Sequence, residues 1–118
     1  MKNETFLASI KCAIKGIICA LKTEKNYKYY SLIALFFLVI NILLQIELAG
    51  HLSFLICTVG VFSTECINTA LEHFVDMVDK GIKDEIKLIK DIAAGSVLFW
   101  GIAFFASEFI AIINSPLL

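Results

Sequence analysis

Three long apolar segments constrain the fold of this chain more than any other feature of its sequence. A helix needs about 20 largely apolar residues to cross the hydrocarbon core of a bilayer. The segments that meet this requirement are 30–49, 52–78 and 92–113. The chain is 59% hydrophobic and 18% charged, whereas soluble domains average roughly 45–50% and 25%. We therefore predict an all-α membrane protein with three transmembrane helices in a single domain, 1–118.

The segment 1–29 is too charged to cross a membrane, but it carries apolar residues at helical spacing. These are Phe6, Ile10, Ala13, Ile14, Ile17 and Leu21. Its lysines at positions 11, 15 and 22 fall elsewhere on the helical wheel. Such a pattern is typical of an amphipathic helix that lies on the membrane surface. We predict that arrangement for this segment.

The lysines predict the orientation of the chain. There is no arginine, and every lysine lies either before the first span or between the second and third spans. The predicted connection Gly50–His51 and the tail after residue 113 have none. With three spans, the two lysine-rich segments lie on the same side, and the positive-inside rule puts that side in the cytoplasm. The amino terminus is then cytoplasmic and the carboxyl terminus outside. No basic patch suggests nucleic acid.

The second half of the second span carries polar residues at helical spacing. Glu65, Asn68, Glu72 and Asp76 follow one another at intervals of three, four and four residues, which covers an arc of roughly 80° on a helix. Asp79 extends the same stripe. A charge near the centre of a bilayer costs at least about 2.5–3.5 kcal/mol on insertion scales. Acids in such a position therefore indicate a functional site.

The chemistry of this stripe favours phosphoryl transfer to a lipid alcohol. A few carboxylates together with phosphate oxygens suit Mg²⁺, and a deep carboxylate can take a proton from a hydroxyl. Glu24, Lys90 and Asp91 are expected at the same water layer, where lysine is a usual partner of phosphates. Two alternatives remain open at this point. The stripe could be a cation or proton path, or a purely structural seam between helices.

One run of residues within the stripe resembles a known signature. The string Glu65-Cys-Ile-Asn68-Thr-Ala-Leu-Glu72-His-Phe-Val-Asp76 is similar to the pattern of the prokaryotic diacylglycerol kinase family, which are small membrane lipid kinases. The segments 23–27 and 90–95 resemble the family's segments before the first span and at the start of the third. The resemblance covers nearly the whole chain.

The resemblance implies a function and a set of roles. Enzymes of this family are homotrimers of the bacterial inner membrane, with active sites shared between subunits, and they transfer the γ-phosphate of Mg-ATP to a lipid alcohol. By position, Glu65 would be the catalytic base, and Asn68 would support the base and the substrate. The carboxylates of Glu24 and Glu72 would hold Mg²⁺. The implied ATP-binding residues are Glu24, Glu72, Asp76, Lys90 and Asp91.

Two departures from the family pattern concern the acceptor and the amino terminus. A branch of the family uses an arginine near its amino terminus, where this chain offers only Lys11 or Lys15. The run Ala93-Ala94-Gly95 is more similar to the branch that phosphorylates undecaprenol, so undecaprenol is the leading acceptor and diacylglycerol the alternative. Outside the stripe, Glu108 is expected near the outer face, exposed to water.

Overall fold

The protein is a four-helix chain, seen in a computed structural model that describes residues 5–78 and 83–118. The helices are α1 (Phe6–Thr23), α2 (Asn26–Leu43), α3 (Leu48–Val78) and α4 (Asp84–Ile113). Each of α2, α3 and α4 is long and apolar enough to cross a membrane. The predicted all-α fold with three candidate spans is therefore confirmed. The predicted site extension at Asp79 lies outside the described residues.

Helix α1 begins at a side-chain cap. The hydroxyl of Thr5 accepts a hydrogen bond of 3.0 Å from the backbone N–H of Ala8, which satisfies one of the free donors at the helix start. The helix ends where Glu24 adopts an extended conformation. Its apolar residues remain open, with Phe6 79% and Ile17 51% exposed. That exposure is compatible with the predicted surface location, which stays a prediction.

The connection between α2 and α3 comes earlier in the chain than predicted. Helix α2 ends at Leu43 and α3 starts at Leu48, so Gly50 and His51 are helical and the predicted connection there is wrong. The chain turns at Gln45, whose φ of 52° is in the left-handed region that few non-glycine residues adopt. The turn contains Gln45 and Glu47 but neither glycine nor proline, so the usual turn signals do not mark it.

Helices α3 and α4 form the main packed pair. Gly60 lies directly against the indole of Trp100, so that a Cβ at this position would overlap the ring. Closer to the start of α3, Phe54 and Phe104 pack with ring centroids 5.7 Å apart. A glycine at the crossing lets the two backbones approach closely, as in many membrane helix pairs.

Helix α2 is attached mainly near its two ends. Near its start, the Tyr27 hydroxyl donates a 2.8 Å hydrogen bond to the carbonyl of Phe62. Beyond its end, the Ser115 hydroxyl donates a 2.6 Å bond to the carbonyl of Leu44. The radius of gyration is 17.5 Å, compared with about 13.5 Å for a compact domain of this length. This open, flat shape leaves many apolar side chains facing outward, as expected for a membrane protein.

Candidate active site

The carboxylate of Glu65 is the centre of a buried hydrogen-bond network. Glu65 is 1% exposed. Its Oε1 accepts bonds from Asn26 Nδ2 at 3.0 Å and from the Tyr30 hydroxyl at 3.3 Å. Its Oε2 accepts a bond of 3.2 Å from Asn68 Nδ2. A buried carboxylate is tolerated only when such donors replace water, and here they come from two helices.

Helix α2 brings two of these donors to Glu65 because they are one turn apart. Asn26 and Tyr30 are at i and i+4, and therefore share a face. The start of the helix is held by Glu24, whose Oε1 accepts a 3.2 Å bond from the backbone N–H of Asn26. The predicted metal ligand Glu24 thus lies two residues before a direct partner of Glu65 and is bonded to it.

Asn68 joins Glu65 to the next acid of the stripe. Its amide nitrogen has two N–H groups, and it also donates to Glu72 Oε1 at 3.1 Å. The carbonyl atom Asn68 Oδ1 is buried and has no hydrogen-bond partner within the described ranges. The structure therefore brings Glu65, Asn68 and Glu72 together in one connected row, and leaves one buried acceptor in that row unused.

The exposed end of the stripe is an ion pair between α3 and α4. Lys90 Nζ lies 2.7 Å from Asp76 Oδ1, with side-chain exposures of 36% and 54%. Asp91 pairs instead with Lys87 at 2.7 Å along its own helix. Ion pairs this exposed contribute little to stability. The ammonium groups of Lys87 and Lys90 can therefore leave their partners at little cost in stability.

The acids at this end offer too few ligands for an all-protein metal site. Among residues 5–78 and 83–118, no three His, Cys, Asp or Glu side chains are close enough to hold an ion together. Mg²⁺ is usually bound by one or two carboxylates plus phosphate oxygens and waters. Glu24 and Glu72 match that partial donor set, so they fit a metal that arrives with a nucleotide.

An apolar cavity of about 260 Å³ lies between α2, α3 and α4. Tyr30 belongs both to this cavity and to the network around Glu65. The only other hydroxyl in the lining is that of Thr58. The remaining residues of the wall are Ile33, Ala34, Val61, Phe62, Ala94, Val97, Leu98, Gly101, Phe104 and Phe105. The cavity thus offers room for a hydrocarbon chain beside the buried carboxylate.

A second buried carboxylate contradicts the sequence prediction. Glu108 is 1% exposed, not water-exposed, because α4 packs here against α2 and α3. Its Oε1 accepts a 3.2 Å bond from Asn41 Nδ2, and Asn41 itself is fully buried. The signal for this pair was Asn41, an isolated amide within the apolar residues of α2. The partners Asn26 and Tyr30 of Glu65 were also missed, although their i, i+4 spacing was visible.

Comparisons with known proteins identify the family of this chain. A family model described as prokaryotic diacylglycerol kinase matches residues 11–113. The chain is 30% identical over 97 residues to the undecaprenol kinase of Bacillus subtilis (strain 168), covering 82% of this chain and 79% of that protein. It is 31% identical over 98 residues to a diacylglycerol kinase of Synechocystis, covering 82% of this chain and 56%, about half, of that protein.

No solved structure gives a significant match to the chain. The family match spans most of the sequence and includes every residue of the network around Glu65. The chain belongs to the prokaryotic diacylglycerol kinase family and is a membrane lipid kinase that phosphorylates an alcohol.

Proposed function

We propose that the protein is an undecaprenol kinase, which transfers the γ-phosphate of Mg-ATP to undecaprenol and releases undecaprenyl phosphate and ADP. The observation that carries this proposal is the hydrogen-bonded row from Glu65 through Asn68 to Glu72. It connects a buried carboxylate beside an apolar cavity to carboxylates near water. A lipid alcohol that stays in the membrane and a nucleotide that stays in water can meet along such a row.

Glu65 acts as the base in the proposed reaction. Its carboxylate takes the proton of the acceptor hydroxyl while the hydroxyl oxygen forms a bond to the γ-phosphorus. The bond between that phosphorus and the oxygen bridging to the β-phosphate breaks, and ADP leaves. Asn68 holds the base through its Nδ2, and its buried Oδ1 is available to accept a hydrogen bond from the acceptor or a water.

The nucleotide binds at the exposed end of the stripe. Glu24 and Glu72 would hold Mg²⁺, which neutralises phosphate charge when bound. The Lys90 ammonium leaves Asp76 to contact a phosphate, as lysine does in many nucleotide sites. Asp91 lies in the next position of α4 and completes the ATP-binding set. These assignments follow the resemblance to the family, and the donor chemistry of the side chains is compatible with them.

We propose further that the enzyme is a homotrimer of the bacterial inner membrane with active sites shared between subunits. The flat shape, 19 Å in its shortest extent, leaves both broad sides of the bundle apolar and open. The starts of α2 and α4 and the end of α3 lie together, as the Asn26–Glu65 and Lys90–Asp76 contacts require. That lysine-rich end faces the cytoplasm, where ATP is available, and the carboxyl terminus lies outside.

Diacylglycerol is the second candidate acceptor, and its product would be phosphatidic acid. The Synechocystis relative supports it by name. The Bacillus relative supports undecaprenol, and this chain covers more of that protein. The cation path and the structural seam are disfavoured because the chain belongs to a family of kinases.

An acceptor assay tests the proposal. Purified protein in mixed micelles is given γ-labelled ATP, Mg²⁺ and either undecaprenol or diacylglycerol at equal surface concentration. We expect faster labelling of undecaprenol, and no labelling by the Glu65→Gln variant. Faster labelling of diacylglycerol would make diacylglycerol the preferred acceptor in place of undecaprenol. Absence of transfer to either alcohol would overturn the proposal as a whole.

A further inference from the structure

The two oxygens of Glu65 are not equally occupied. Both donors from α2, Asn26 Nδ2 and the Tyr30 hydroxyl, point to Oε1 at 3.0 and 3.3 Å. A single donor, Asn68 Nδ2, lies 3.2 Å from Oε2. An ionised carboxylate has about two acceptor positions on each oxygen. Oε1 is thus filled by the described contacts, whereas Oε2 retains one free position.

We propose that Asn26 and Tyr30 are positioning residues that fill Oε1, so that Oε2 is the atom that receives the proton of the acceptor. The inference rests on the proposed role of Glu65 as base. In this arrangement α2 sets the rotation of the carboxylate. Asn68 donates to Oε2 but occupies only one of the two lone-pair positions on that oxygen. The hydroxyl of the lipid substrate must then lie at the second position.

The same two residues link the base to both substrates. The backbone N–H of Asn26 donates to Glu24 Oε1 at 3.2 Å, so movement of this proposed metal ligand is transmitted to a donor of Glu65. The ring of Tyr30 forms part of the apolar cavity, so a hydrocarbon chain there would pack against the residue that holds Oε1. Binding of either substrate would therefore restrict the carboxylate further.

Several ionisable groups surround Glu65, and the variants below leave all of them except Tyr30 in place. They are Tyr27 and Tyr30 on α2, Glu24 before α2, and Cys66 and Glu72 on α3. Loss of a donor to Oε1 would leave the carboxylate free to rotate, so that Oε2 would no longer be held toward the acceptor.

The test compares Asn26→Leu and Tyr30→Phe with Tyr29→Phe as the matched control. Tyr29 is on the same helix and 58% exposed, and no contact of it with Glu65 is described. We expect kcat to fall about tenfold in Asn26→Leu and about threefold in Tyr30→Phe, in line with the loss of one of several aids to a general base. In both variants KM for ATP should stay within about twofold of wild type, so that the loss is one of kcat alone.

Two outcomes would overturn the inference. The first is a kcat for Tyr30→Phe equal to that of Tyr29→Phe, which keeps the test decisive even if Asn26→Leu does not fold. The second is an effect confined to KM for ATP. Failure of the proposed function would look different, because wild type itself would then transfer no phosphate, or Glu65→Gln would transfer it normally.

Discussion

Two carboxylates among the described residues are buried in similar settings, and they differ in what they are connected to. Glu65 and Glu108 are each 1% exposed, and each accepts a hydrogen bond from an asparagine of α2. Glu65 has three described donors and is joined through Asn68 to Glu72. Glu108 has Asn41 as its one described donor, and its Oε2 has no partner in the part of the chain that the structure describes.

This difference teaches that burial alone does not identify a catalytic acid. Both carboxylates lie where charge is costly, but within the described residues only Glu65 is joined to other acids and to an apolar cavity. It is linked to the half-buried Glu72 through Asn68 and to the cavity through Tyr30. We infer that Asn41 and Glu108 hold α2 against α4, whereas Glu65 serves the reaction.

The largest expected effect separates the two acids directly. Glu65→Gln should lower phosphate transfer by at least about 100-fold, the lower range for loss of a general base. The matched variant Glu108→Gln keeps the size of its side chain. Its transfer rate should stay within about threefold of wild type, because Glu108 has no described contact with the network of Glu65. Initial rates of transfer from labelled ATP measure both. Equal losses of transfer rate in the two variants would contradict the different roles inferred for Glu65 and Glu108.

A smaller effect is expected at the exposed end of the Glu65 network. Glu72→Gln removes a carboxylate that would bind Mg²⁺, so the Mg²⁺ concentration for half-maximal rate should rise on the order of tenfold, the lower range for impaired metal sites. Glu85→Gln is the control, because Glu85 is an exposed acid in the first turn of α4. An unchanged Mg²⁺ titration for Glu72→Gln would contradict its ligand role.

The smallest effect on activity is expected at the pair of Asn41 and Glu108. Asn41→Ala leaves the buried Glu108 without its described donor, which should lower the free energy of unfolding by about 1–3 kcal/mol with little change in rate at low temperature. Thermal unfolding in detergent measures the loss. Asn114→Ala is the control, since Asn114 is exposed and bonds only to Ile110 of its own helix. Lost activity with unchanged stability would instead indicate that Asn41 and Glu108 have a role in catalysis.

The row of acids on α3 was predictable because all its members belong to one helix. Intervals of three and four residues place Glu65, Asn68 and Glu72 on one face whatever the helix packs against. The donors from α2 were not predictable in the same way. Nothing local to Asn26 or Tyr30 specifies Glu65, which is 39 and 35 residues away in the chain.

Hydropathy and helical periodicity, which are properties of short segments, determined that this chain is an all-α membrane protein with an acidic face on its second long apolar helix. The tertiary structure alone decided where α2 turns into α3, which amide meets which carboxylate, and that Glu108 is buried. These features depend on how helices are placed side by side. That placement is set by contacts between residues far apart in sequence, such as Gly60 with Trp100 and Asn41 with Glu108.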